Sequence, residues 1–326
     1  MASFTSINGH AGIGVEVTAG TAVTPTQFPF VTEMEIGDEA THLLPNHVTR
    51  AGGHQIGTPQ QGQASYPVSL SGPLHFNRMG WLLLAFDAAI ATTGPSGDDY
   101  THVAEPGTPA SFTVEERPSG DISTAKTVAG VKFSSLELAF PANDLASFKV
   151  EGIGMSSPSV ATATVIAYPT QNEINGLNLT TLSLGSVDLS EIAEGATIKI
   201  TQELEALYGA KTKNPVEIKY KDMREIEVTI PIRLPVAAWH DFQARHIATP
   251  NPTEDTFTLV ATDPSTGETF SVVGRRARVA APARAPLNAS GDVTRVTLSL
   301  KCLATLGGSA AWTVTMVNTD ASPIQT

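Results

Sequence analysis

Several residue types that dominate other classes of protein are scarce in this chain. A single cysteine, Cys302, rules out a disulfide within the chain and is compatible with a reducing compartment. Charged residues make up 16% and aromatic residues 6% of the 326 positions. Apolar runs are too short for a membrane-spanning helix, and no basic segment followed by an apolar core indicates a signal peptide.

The sequence also lacks the excess of basic residues that binding to nucleic acid requires. The formal net charge is −12, and its larger share lies in residues 1–165, which carry 15 acids and 6 bases. A protein that binds nucleic acid through phosphates needs a basic footprint. One cluster of bases is present, and we interpret it as a solvated strand edge or a salt-bridge partner of another subunit. It consists of Arg275, Arg276, Arg278 and Arg284.

Residue patterns for catalysis or metal binding are absent as well. Cys302 follows Val296, Leu298 and Leu300 in alternating phase, which predicts a buried small hydrophobic side chain rather than a nucleophile. The histidines near the N-terminus have no ligand spacing, and no serine lies in a nucleophile elbow. We therefore predict no catalytic residue, no metal site, no cofactor and no enzyme activity.

The chain contains two similar halves. Phe257 follows Phe112 by 145 residues (257 − 112), and Gly274 follows Gly130 by 144 (274 − 130). Each of these four residues lies in or beside a run of alternating apolar residues, which is typical of strands with one buried face. We predict an extended irregular arm over residues 1–35 and two domains of the same kind over residues 36–165 and 166–326.

The sequences of the two halves also predict the same order of strands and helices. A strand over residues 65–71 precedes a helix from Gly72 and Pro73 to about Ala89, and a strand over 225–233 precedes a helix from Leu234 and Pro235 to about Ala248. Residues 36–64 are polar and rich in glycine, which predicts a long loop. Further strands are expected at residues 162–168, 198–207, 216–221 and 312–317.

The phrase GIGVEVTAGTAVTPTQF at residues 12–28 resembles the opening of the major tail tube proteins of long-tailed bacteriophages. The resemblance implies a mainly β protein, here with two tandem tail-tube-type β-sandwich or barrel domains, each with one flanking α-helix. In that family, subunits form rings that stack into a hollow tube through which the genome leaves the virion. Two domains in one chain imply trimers with pseudo-sixfold symmetry.

The same resemblance implies partners and a location. The chain is expected to bind copies of itself, a tape measure protein, and tail terminator or distal tail proteins. Viral DNA would pass through the lumen without sequence-specific binding, and no membrane would be involved. The protein would be assembled in the bacterial cytoplasm and located in the virion tail.

Two sets of residues are predicted to serve this function. Acids in the alternating strands are expected to face the lumen, and they are Glu137, Glu151, Glu217, Glu225 and Glu227. The N-terminal arm is expected to bridge rings through Gly12, Gly14, Glu16, Gly20, Thr21 and Pro25. The alternatives are another phage head or tail structural protein, such as a decoration, terminator or distal tail protein, and a β-sandwich binding module or enzyme.

Overall fold

The structure is a computed structural model dominated by antiparallel β-strands. It describes residues 9–43, 46–49, 53–56, 60–87, 89–97, 99–105, 107–117, 124–166, 172–221, 223–233, 242, 244, 254–281, 295–304 and 310–322. The strands of the first half are β1 (His10–Val15), β2 (Glu33–Ile36), β3 (Glu39–Leu43), β4 (Asn46–Thr49), β5 (Gly53–Ile56), β6 (Gln60–Pro73), β7 (Ala89–Ser96), β8 (Asp99–Glu105), β9 (Phe112–Arg117), β10 (Thr124–Pro141), β11 (Ser147–Gly154) and β12 (Ser159–Thr162).

The second half continues this numbering. Its strands are β13 (Leu179–Leu184), β14 (Val187–Asp188), β15 (Gly195–Thr201), β16 (Leu204–Tyr208), β17 (Pro215–Tyr220), β18 (Glu225–Arg233), β19 (Asp255–Thr262), β20 (Thr269–Ala281), β21 (Arg295–Cys302) and β22 (Trp312–Asn318). A short α-helix, α1, spans Gly80–Leu84, and a 3-10 turn spans Gly176–Asn178.

Eight strands from both halves form one antiparallel sheet, called the long sheet below. Its order is β2, β6, β11, β10, β15, β18, β21, β20. Strict alternation of side chains explains why these segments pair in this register, because a slip by one residue would expose the apolar set. Leu138, Ile198 and Leu300 are each buried on one face, while their sequence neighbours point to the other.

Two further sheets cover the buried face of the long sheet. The N-terminal outer sheet contains β1, β9, the first part of β10 and β12. The C-terminal outer sheet runs β7, β8, β22, β20, β19, β13, β14. Strands β10 and β20 each take part in two sheets because both bend in the middle, at Gly130 (φ 72°) and near Arg276 (φ 48°).

Aromatic rings join the layers. Phe112 of the N-terminal outer sheet contacts Phe133 of the long sheet at 5.6 Å between ring centroids. Phe270 of the C-terminal outer sheet contacts Phe140 at 6.1 Å. Trp81 of helix α1 is fully buried against Phe148, at 5.6 Å. Burial of each such ring stabilises the fold by about 1.5–3 kcal/mol relative to exposure, so the apolar layer between the sheets holds the molecule together.

The same six strand pairings occur in both halves. In the first half they are β1–β9, β9–β10, β10–β11, β11–β6, β6–β2 and β10–β12. In the second half they are β13–β19, β19–β20, β20–β21, β21–β18, β18–β15 and β20–β22. The hairpin β7–β8 has no counterpart among the described residues of the second half, and it joins the two halves by pairing with β22.

The predicted strands over 65–71 and 225–233 are confirmed, but the predicted first helix is wrong over most of its length. Pro73 ends strand β6, and the backbone N–H groups of Leu74 and Phe76 donate to Ala146 and Asn172. These bonds keep residues 74–76 extended, so helix α1 starts only at Gly80. Of the predicted second helix, only Phe242 and Ala244 are described, and both are helical; the rest lies outside the described residues.

Three other predictions need correction. The described part of residues 36–64 is mostly strand rather than loop, because β3, β4, β5 and the start of β6 lie there; these polar segments pair through backbone groups, which give no alternating apolar pattern in the sequence. The strand predicted over 162–168 is wrong over residues 163–166, because β12 ends at Thr162 and the Thr164 N–H and hydroxyl donate to the Glu115 carboxylate; residues 167 and 168 lie outside the described residues. The strand predicted over 198–207 is interrupted, because the Gln202 N–H donates to the Ser134 carbonyl.

Substitution of Gly130, where β10 bends, tests the fold. At Gly130 a Cβ atom would lie 2.6 Å from the Met155 Cβ, in addition to the positive φ. We expect Gly130→Ala to lower the free energy of unfolding by about 2–5 kcal/mol, combining backbone strain with overpacking. Gly97 also has a positive φ but no atom within 4 Å of its would-be Cβ. Gly97→Ala should therefore cost only about 1–2 kcal/mol in urea unfolding, and equal losses would contradict the steric account.

Candidate functional site: the polar face of the long sheet

The face of the long sheet that turns away from the core carries charged side chains in rows across the strands. Cross-strand pairing aligns Lys149 with Glu137, Glu137 with Lys199, Lys199 with Glu227 and Glu227 with Lys301. A parallel row contains Glu35, Glu151 and Glu225, with serine and threonine between them. This surface is called the polar face below, and it extends without a break over both halves of the chain.

Four of the five acids predicted to face a lumen lie together on this surface. Glu137, Glu151, Glu225 and Glu227 are all exposed and all project from the polar face. Glu217 does not join them, because it lies on the separate two-stranded ribbon β16–β17, opposite Leu207. Alternation within a strand predicts which face a side chain occupies, but it does not predict which sheet the strand joins.

The prediction from sequence missed the bases of the polar face. Together with Glu33 and Glu35, six acids lie there, and at least six bases lie beside them, so that the acids are not in excess; these bases are Lys149, Lys199, Arg233, Arg278, Arg295 and Lys301. The same alternation would have found these bases, since each occupies the phase opposite a buried residue. The face is therefore polar and close to neutral, and it is not covered by carboxylates alone.

Pairs of these charges contact each other directly. The Lys149 Nζ lies 2.7 Å from a Glu151 oxygen, and the hydrogen bond raises the pKa of Lys149 and lowers that of Glu151. Lys301 bonds to Glu225 and lies 3.3 Å from Glu227; these contacts raise the pKa of Lys301. Exposed pairs of this kind contribute little to stability, so their main effect is to balance charge across the surface.

The predicted N-terminal arm is irregular only in part. Residues 10–15 form strand β1, which pairs with β9, so the description of an irregular arm is wrong there. Gly12 and Gly14 are buried against Pro25 and Val23, and no larger residue would fit at those contacts. An apolar strand with glycine at every second position lacks the side chains that make a strand recognisable in sequence.

The remaining arm residues form an exposed turn that is anchored inside the fold. Residues 17–22 are exposed, and Gly20 and Thr21 belong to this turn. The Glu16 carboxylate is buried and accepts hydrogen bonds from the N–H groups of Gly20 and Gly130 and from the Thr113 hydroxyl, each at 2.8 Å. Three donors compensate for the loss of water around the carboxylate, so Glu16 fixes both the turn and the bend of β10.

Other buried ionisable groups serve the fold. Burial raises the pKa of Glu115, but hydrogen bonds from His10 and Thr164 outweigh that effect and hold the pKa below its usual range. Cys302 is buried, as expected, and burial raises the pKa of its thiol to about 12. Among the described residues, no cluster of three or more histidine, cysteine, aspartate or glutamate side chains has the geometry to hold a metal ion.

Comparison with known protein families assigns this architecture. A family model described as phage tail tube protein matches residues 6–311. The chain belongs to the phage tail tube protein family. It is thus a structural component of a phage tail that assembles into a tube, and the mainly β fold and the extended polar face agree with the resemblance seen at residues 12–28. A search of curated proteins found no match. None of the described helices is long and apolar enough to cross a membrane.

Substitutions on the two faces of the long sheet should change the free energy of unfolding by different amounts. Replacing Glu137 and Glu227 by glutamine should change the free energy of unfolding by less than about 0.5 kcal/mol, because both are exposed. Leu138→Ala, one position further along the same strand, should cost about 2–5 kcal/mol because its side chain is buried. Urea unfolding of both variants measures the difference, and a large loss in the glutamine variant would refute the assignment of the two faces.

Proposed function

We propose that three copies of this chain form a ring, and that rings stack into the tail tube that conducts the phage genome into the host. The repeated set of six strand pairings supports two tube units in one chain; the first includes β1 and β2 and so begins within the expected arm of residues 1–35, and the second lies within residues 166–326. Each unit contributes four strands to the long sheet. Three chains of eight strands would close into a barrel of 24 strands (3 × 8) with pseudo-sixfold symmetry.

The observation that carries this proposal is the continuous polar face. A barrel closed from the long sheet would place this face on a water-filled lumen and the apolar layer outside it. Closure also removes the exposed sheet edges, which in a free chain would favour aggregation. Four of the predicted acids would then line the channel, namely Glu137, Glu151, Glu225 and Glu227. Glu217 would lie on the β16–β17 ribbon, which connects β15 to β18.

The charge of the polar face suits the passage of DNA. Its acids and bases balance each other, and several bases contact acids directly: Lys149 contacts Glu151, Lys301 contacts Glu225 and Glu227, and Arg233 and Arg295 contact Glu194. Unpaired lysines or arginines would bind the backbone and slow its movement, because release of counterions makes such contacts favourable. A lumen of balanced rows would let DNA slide through without sequence-specific binding.

The same proposal includes the partners and location of the tube. The chain would contact its own copies within and between rings, a tape measure protein in the lumen during assembly, and terminator and distal tail proteins at the ends. Assembly would take place in the bacterial cytoplasm, and the finished tube would belong to the virion.

Electron microscopy of the purified protein tests the ring and the tube. We expect hollow tubes or rings whose averaged end views have six similar lobes, and a mass of three chains for each ring by native mass spectrometry. Rings of six chains would contradict the trimer and the two units in one chain. Monomers at all salt and protein concentrations would contradict the tube itself.

The exposed turn at residues 17–22 should take part in stacking. Val17 is 99% exposed, and a Cβ atom on Gly20 in the same turn would lie 3.4 Å from the Met155 Cε, just beyond the end of β11. We expect Val17→Asp to leave the melting temperature unchanged but to shorten the tubes measured by microscopy, since a buried charge at a contact is costly. Val165→Asp, at a valine that is 89% exposed, is the matched control. Tubes of unchanged length in the Val17 variant would exclude the turn from the contact.

A further inference from the structure

The exposed turn at residues 17–22, called the N-terminal turn below, carries an apolar side chain and no charge. Val17 begins this turn and is 99% exposed, and the five residues that follow are also exposed. The Thr21 N–H donates to the Thr18 carbonyl at 3.0 Å, and the Gly20 N–H donates to the Glu16 carboxylate at 2.8 Å. The turn therefore holds its shape without a partner and presents Val17 to the solvent.

A second apolar surface lies where the turn between β10 and β11 meets the 3-10 turn at Gly176–Asn178. Leu177 is 89% exposed and Leu145 is 42% exposed, although both side chains are large and apolar. They line an open pocket of about 370 Å³, called the leucine pocket below, together with Ala142, Asn143, Asp144, Asn175 and Gly176. The pocket is large enough for one aliphatic side chain and part of the backbone that carries it.

Hydrogen bonds fix the walls of the leucine pocket. The Gly176 N–H donates to the Asp144 carbonyl at 3.0 Å and so joins the two turns. The Asn175 side chain accepts from the Leu177 N–H at 2.9 Å, while the Asn175 N–H donates to the Asn178 side chain at 2.8 Å. A pocket that is formed in advance loses little conformational freedom when it binds a ligand, which favours binding.

The N-terminal turn and the leucine pocket lie at opposite ends of strand β11. The turn is held near Met155, just after β11, and the Glu16 carboxylate beside it binds the Gly130 N–H at the bend of β10. Leu145 lies just before β11, whose eight residues span about 26 Å. In a closed barrel the strands tilt by about 35–45° from the axis, so their ends form its two rims. The turn and the pocket would thus lie on opposite rims of the proposed ring.

Both features belong to the chain as a whole and not to each half. Strand β13 holds the place of β1 in the second half, because β13 pairs with β19 as β1 pairs with β9. Only Gly185 and Ser186 join β13 to β14, so the described residues of the second half contain no counterpart of the six-residue turn. Leu177 lies between β12 and β13, in the segment that joins the halves and occurs once in each chain.

We propose that Val17 of one chain binds in the leucine pocket of a chain in the next ring. This contact rests on the proposed stacking of rings, and it names the surface that receives the N-terminal turn. Burial of Val17 against two leucines removes apolar surface from water on both rims, and two unlike surfaces add rings in one direction only. Since a ring of three chains has three turns and three pockets, rings join in three rotational positions and not in six.

Paired cysteines test the contact directly. Because the turn and the pocket lie at opposite ends of the chain, Val17→Cys with Leu177→Cys would link each chain to the ring above and to the ring below. We expect mild oxidation of the tubes to give a ladder of more than three chains on a non-reducing gel, whereas links within one ring stop at three. Leu177→Cys alone should give no product larger than a dimer, because the buried Cys302 should not react.

A matched pair of cysteines serves as the negative control. Val17→Cys with Val165→Cys places the second thiol at a side chain that is also 89% exposed but lies outside the pocket, and it should give no ladder. Tubes in the microscope without a ladder for positions 17 and 177, or an equal ladder for positions 17 and 165, would overturn the contact and leave the tube intact. Absence of tubes from the unmodified protein would overturn the contact and the tube together.

Rescue by charge gives a second, independent result. Val17→Asp should shorten the tubes, and adding Leu177→Lys should make them about tenfold longer again, because three new ion pairs act together at each contact between rings. Val17→Asp with Val160→Lys carries the same charges, with the lysine at an exposed valine outside the pocket, and its tubes should stay short. Microscopy measures the lengths. Equal lengths for the two double variants would overturn the contact.

Discussion

The pairing of β10 with β15 is the contact on which the rest of the structure depends. It turns two separate four-stranded sets into one sheet, and so creates the continuous polar face on one side and a continuous apolar layer on the other. Glu137 and Lys199 face each other across this junction, while Leu138 and Ile198 meet below it. Without the junction, each half would expose a strand edge in the middle of the chain.

The bends of β10 and β20 follow from the same requirement. Strands β10 and β20 each pass from an outer sheet into the long sheet, and the outer sheets that they enter cover the apolar layer. Gly130 permits the first bend, and the Glu16 carboxylate binds its N–H group. The second bend lies at Arg276, whose guanidinium is bound by Glu254. A buried or well-positioned carboxylate thus stabilises each bend, although the two halves use different residues.

Much of the long sheet is predictable from sequence, because strict alternation in segments such as 225–233 allows only one buried face. Strands β1, β3, β4 and β5 are not predictable in this way, since polar or glycine-rich segments pair through backbone groups that carry no sequence signal. Helix α1 begins seven residues later than expected (80 − 73), because long-range backbone bonds outweigh the local preference of Pro73. Four of the predicted acids share one face, whereas the position of Glu217 depends on which sheet its strand joins.

The uneven charge of the chain acquires a physical meaning once the sheet order is known. Residues 33–39 contribute four acids to one end of the sheet, and residues 275–278 contribute three bases to the other. The net charge is thus concentrated at the two edges of the long sheet. The polar face between these edges carries acids and bases in similar numbers, because cross-strand pairing sets Glu137 beside Lys149 and Lys199, and Glu227 beside Lys199 and Lys301. Sequence position alone does not reveal this separation, since it depends on which strands lie at the edges of the sheet.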